Sequence, residues 1–98
     1  MIQPPIVVFI HPACFTCFEQ IYWMHDQGLD FQTKDVSEPR YYEEFQKQLG
    51  SSFPFTIIQD DQEGLVRLHG YDQAKVRQVL MDHEISRMSN THSEVNES

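Results

Sequence analysis

Ile6-Val7-Val8-Phe9-Ile10 constrains this chain more than any other segment, because five successive residues are apolar and four of them are β-branched. A strand with one wet face alternates apolar and polar residues. A run with no polar position belongs where both faces are covered, at the centre of a parallel or mixed sheet. His11-Pro12-Ala13 stops the run, and the period then changes. From about Phe15 to Gln27 the pattern is helical, with Phe18, Ile21, Tyr22 and His25 expected on one shared face. Gly28 supplies the C-terminal stop. Phe31 to Val36 reads as a half-polar strand, so Ile6 to Val36 forms a strand–helix–strand unit.

Ser37 is the expected N-cap of a second helix, with Pro39 in its first turn. Tyr41 or Tyr42, Phe45 and Leu49 supply its inner face, and Gly50 closes it. Phe55 to Gln59 is a third strand, Asp60 to Gly64 a turn, and Leu65 to His69 a fourth strand, which together predict a hairpin. Asp72 is a candidate N-cap for a last helix carrying Val76, Val79, Leu80 and His83 on one side. The order β-α-β-α-β-β-α predicts an α/β domain over residues 1–88, a four-stranded mixed sheet flanked by three helices. Residues 89–98 hold one apolar side chain, Val95, and are expected to form a disordered acidic tail.

Ninety-eight residues suffice for one modest core, and 40% apolar content suits a globular chain. The formal net charge of −8 opposes a phosphate backbone, so nucleic-acid binding is not expected. Met1 to Pro5 carry no basic residue, and the apolar run after them is too short for a signal core or a membrane span. The expected setting is the cytoplasm, where thiols are kept reduced. A monomer without membrane contact is expected.

The two cysteines stand in the array Cys14-Phe15-Thr16-Cys17, where the first strand hands over to the first helix. A thiol at a helix N-terminus faces unpaired N–H groups and the positive end of the dipole, and both favour the reactive thiolate. Cys17 lies one turn further on, within reach of the first sulfur. That placement suits exchange through a mixed disulfide on Cys14 that Cys17 resolves. Two ordinary core cysteines would not need this strand–helix junction. His11 precedes them in a His-X-X-Cys-X-X-Cys array, but structural zinc takes four ligands and no second Cys or His cluster is evident. No bound metal or cofactor is expected.

Taken together, the apolar strand ending in His11-Pro12-Ala13-Cys14, the Cys-X-X-Cys, Asp35-Val36, Pro54, and His69-Gly70-Tyr71-Asp72 resemble the glutaredoxin family of the thioredoxin superfamily. The resemblance covers about Ile6 to Met81. It implies a thioredoxin fold and a dithiol oxidoreductase in which Cys14 attacks and Cys17 resolves. It also implies a cis Phe53–Pro54 bond beside the active site, where backbone groups pair with the substrate. Phe53 replaces the Val common in the family. His11 stands where a basic residue is usual, and Phe15-Thr16 where Pro-Tyr is common.

Two branches of the family remain open. One takes electrons from glutathione, which would be a co-substrate held in part by Asp72. The other, the ribonucleotide-reductase-associated redoxins, takes them from thioredoxin reductase. His11-Pro12-Ala13-Cys14 is similar to the second branch, and Gly70 with Asp72 to the first. Under the resemblance, His11, Phe15, Phe53, Pro54, Gly70, Tyr71 and Asp72 line the substrate or glutathione site, and disulfide-containing proteins are the expected partners. The rival reading is an adaptor of the same fold or an iron–sulfur cluster carrier.

Overall fold

The computed structural model describes residues 3–60 and 64–84. The chain runs β1 (Ile6–Ile10), α1 (Phe15–Asp26), β2 (Gln32–Asp35), α2 (Pro39–Lys47), β3 (Phe55–Asp60) and β4 (Gly64–His69). A further helix, α3, covers residues 73–84. The sheet order is β2-β1-β3-β4. β1 lies parallel to β2 and antiparallel to β3, and β4 returns antiparallel to β3. The expected tail 89–98 and the hairpin residues 61–63 lie outside the described residues, as do residues 85–88. Among the described residues no helix is long and apolar enough to cross a membrane.

Strand parity divides the core. Ile6, Val8 and Ile10 point to one face, where they pack with Met24, Ile58, Leu68 and Val76. Val7 and Phe9 point to the other, with Val36, Phe45, Phe55 and Ile57. The unbroken apolar run of β1 is thus explained by a core on each side. On the second face Phe45 of α2 sits edge-on to both Phe9 and Phe55, at ring centroid distances of 5.8 and 5.5 Å. Each such buried side chain contributes about 1.5–3 kcal/mol.

α1 turns a different face inward from the expected one. Cys17, Gln20 and Met24 are buried, whereas Phe18, Tyr22 and His25 are exposed. A polar residue occupies the buried stripe and aromatic residues the outer one, so hydrophobicity alone gave the wrong phase. The helix ends in a Schellman motif: Gly28 at φ 70° donates to His25 O, and Leu29 donates to Met24 O.

α2 departs from expectation at both ends. Its N-cap is Glu38 rather than Ser37, whose N–H is given to Asp35 Oδ1 at 2.8 Å. Pro39 does occupy the first turn. At the other end Leu49, not Gly50, takes the left-handed conformation, at φ 69°. Leu49 is exposed and contributes no core contact there, contrary to the periodicity. Gly50 follows because a Cβ at that position would overlap the Phe45 ring. The expected α3 face is borne out: Val76 and His83 are buried, Val79 and Leu80 half-buried. His83 Nδ1 lies 2.8 Å from Asp60 Oδ1 and so joins α3 to the end of β3.

Gly50→Ala should lower stability by about 1–3 kcal/mol through overpacking against Phe45. Leu49→Gly should raise it by up to about 1 kcal/mol by relieving the left-handed backbone. Urea midpoints of the two variants check both signs, and an unchanged midpoint for Gly50→Ala would contradict the packing described.

Candidate active site

The site begins where β1 ends. His11 O accepts the Cys14 N–H at 3.0 Å, which closes a turn with Pro12 at its second position. His11 Nδ1 accepts the Ala13 N–H at 3.0 Å, so in this geometry the ring proton resides on Nε2. Support of a Cys14 thiolate by an imidazolium would require this contact to break. The turn delivers Cys14 to the N-cap of α1 with extended backbone angles.

Cys14 Sγ accepts the Cys17 N–H at 3.1 Å, taking the part a serine or aspartate oxygen usually plays at a cap. Thr16 Oγ1 lies 3.4 Å from the same sulfur, a contact that sequence reading did not anticipate. Cys14 and Cys17 lie at disulfide distance, with Cα atoms 5.3 Å apart. The two cysteines differ in access. Cys17 is 0% exposed, while Cys14 is half-buried and its neighbour Phe15 is 75% exposed.

Register brings the other candidate residues to the same end of the sheet. Phe9 pairs with Phe55, and Phe55 with His69, so the end of β1, the start of β3 and the end of β4 lie side by side. The Phe53–Pro54 bond is cis, as the resemblance implied. Phe53 stacks on Phe45 at 4.8 Å and reaches the His11 ring at 5.8 Å, so the larger side chain is accommodated by the α2 core. Pro54 is buried, and its carbonyl accepts the Gly70 N–H at 2.8 Å. Gly70 has φ 82°, a conformation that favours glycine. The Tyr71 ring lies 6.3 Å from Trp23 of α1. Asp72 Oδ1 accepts the Lys75 N–H at 3.1 Å, which makes it the cap of α3.

Two basic residues of α2 are engaged locally. Arg40 pairs with Glu38 at 3.2 Å, and Lys47 with Glu43 at 3.1 Å. Among the described residues no three His, Cys, Asp or Glu side chains converge as a metal-binding group. Sequence reading also passed over Gln20 and Thr56, both fully buried beneath the site. No apolar pattern marks a buried glutamine, so no sequence signal pointed to it.

This is a thioredoxin fold with a Cys-X-X-Cys pair at disulfide distance on its first helix. The chain is similar to the thioredoxin of Fasciola hepatica in its X-ray structure, with a TM-score of 0.68 at 19% identity, over 83% of this chain and 81% of that one. No protein-family model and no curated protein matches the chain.

Asp35, at the end of β2, has its carboxyl held below the usual value of 3.8 by hydrogen bonds from the Ser37 N–H and hydroxyl. A depressed folded-state value means the unfolded chain binds more protons. The associated stability is present above pH 3.8 and is lost as pH falls through the lower folded value. Chemical denaturation from pH 5 downward should show the difference between the protein and its Asp35→Asn variant shrinking over that window. A difference independent of pH would exclude this carboxylate as the source.

Proposed function

We propose that this chain is a dithiol thiol–disulfide oxidoreductase that reduces protein disulfides or glutathione mixed disulfides. The observation that carries the reading is the placement of the pair: Cys14 caps α1 and receives the Cys17 N–H, while Cys17 is buried one turn behind it. A thiolate at Cys14 is stabilised by that N–H and by the helix dipole.

In the reduced protein Cys14 Sγ attacks one sulfur of the substrate disulfide. That S–S bond breaks, a mixed disulfide forms on Cys14, and the departing substrate thiolate takes up a proton. Cys17 then loses its proton and attacks Cys14 Sγ. The mixed disulfide breaks, the second substrate thiol is released, and the Cys14–Cys17 disulfide remains. Two electrons have passed to the substrate. In this reading the backbone at Phe53 orients the substrate as a short strand would, since the Pro54 carbonyl is already taken by Gly70.

Glutathione or thioredoxin reductase returns the electrons. Supplying the oxidised protein with NADPH and either glutathione plus glutathione reductase or thioredoxin reductase separates the two donors. The Asp72→Asn variant should slow reduction by glutathione if its carboxylate binds that tripeptide, and should change only stability if it serves α3 alone.

Cys14→Ser should lower insulin-disulfide reduction to the uncatalysed rate, because it removes the nucleophile. Cys17→Ser should accumulate a covalent complex with substrate, visible as a mass increase that dithiothreitol reverses. Full activity in Cys14→Ser would sink the proposed mechanism.

A further inference from the structure

Gln20 is 0% exposed and sits one helical turn beyond Cys17, on the same inward face of α1. Its Nε2 donates to Thr56 Oγ1 at 2.7 Å and lies 3.5 Å from Met24 Sδ. The opposite amide orientation would set a carbonyl oxygen against the thioether, so the oxygen is the free end. Gln20 Oε1 is buried and has no hydrogen-bond partner. Buried polar atoms without partners are few, and each lost bond carries a desolvation penalty. The chain retains this one a helical turn beyond Cys17.

In the oxidised form the neighbouring sulfur has nothing to donate, because Cys17 is in the disulfide. Reduction changes that. Two electrons from a dithiol break the Cys14–Cys17 bond, and the dithiol closes to its cyclic disulfide. One of the two protons released goes to Cys17 Sγ, the other to Cys14 or to solvent. Cys17 then carries an S–H donor in a site closed to water, on the stripe that holds the free amide oxygen. Helical side chains lean toward the N-terminus, over the preceding turn, which is the turn of Cys17.

We infer that Gln20 is a positioning residue that accepts the S–H of reduced Cys17, held in orientation by Thr56, and so biases the Cys14–Cys17 couple toward its dithiol form. The inference deepens the oxidoreductase reading by assigning a group that sets its redox balance. The amide oxygen is unpaired in the disulfide and paired in the dithiol, so its removal should favour the disulfide on both counts.

The first test leaves Gln20 in place. In the Cys14→Ser variant Cys17 is the only thiol, and its infrared S–H stretch should lie below that of an unbonded thiol. Adding Gln20→Met should move the band up. A band at the free-thiol position, or one indifferent to Gln20→Met, would overturn the inference. The second test equilibrates the two-cysteine protein with dithiothreitol. Gln20→Met should shift the equilibrium about tenfold toward the disulfide, the effect of one buried hydrogen bond and the orphaned group it satisfies. No shift, or a shift toward the dithiol, would overturn it. A packing role would instead destabilise the oxidised and reduced proteins equally in urea. Loss of the Thr56 bond weakens both forms, so the expected pattern is a greater loss in the reduced form, and equal loss counts against the inference. None of these readouts needs a protein substrate, so failure to reduce insulin would sink the proposed function without touching them.

Discussion

β1 is hydrogen-bonded along both edges, to β2 on one side and β3 on the other, and it packs a core on each face. A strand fixed in four directions has no freedom at its carboxyl end. The four-residue turn from His11 to Cys14 starts from that fixed point. The other candidate residues are placed by pairing outward from that strand: Pro54 precedes the partner of Phe9 on β3, and Gly70 follows the partner of Phe55 on β4. A slip of β3 by one residue would reverse its faces and carry Pro54 away from the turn.

The two faces of the sheet serve different ends. On the α2 side four phenylalanines, Phe9, Phe45, Phe53 and Phe55, form a continuous aromatic packing that ends at the His11 ring. That side is mainly aromatic, with the Lys34–Glu44 ion pair beside Phe9. The α1 side carries the buried polar pair Gln20–Thr56 among aliphatic residues. A second buried polar pair, His83 and Asp60, joins α3 to the end of β3.

Much of this arrangement was legible in the chain. The apolar run Ile6–Ile10 announced a central strand, and the strand and helix order followed from period and punctuation. The Cys-X-X-Cys stood out because of the junction that it occupies. What was not legible has physical causes. α1 has aromatic residues at Phe15, Phe18 and Tyr22 on its outer side, so two apolar stripes competed and the richer one faced solvent. Cys17 and Gln20, which set the true phase, carry little or no hydrophobic signal. At the end of α2 a glycine is the usual left-handed residue, yet the bulk of Phe45 required the glycine one position later. Ser37 was spent on Asp35 instead of on the helix that follows. Tertiary neighbours decided each of these cases, and a local pattern does not contain them.

The burial of Cys17 beside a half-open Cys14 shows how a helix breaks the equivalence of two identical residues. They share a side chain and a neighbourhood, and differ by three positions on a screw. Each residue turns the helix by about 100°. A spacing of three nearly completes a revolution: the second sulfur meets the first and still lies deeper by one rise of the spiral. With one residue fewer between them the two would stand on different sides of the cylinder. With the helix begun one residue later, Phe18 would replace Cys17 against the sheet. The order in which the two atoms meet the outside world is therefore written in the pitch of α1.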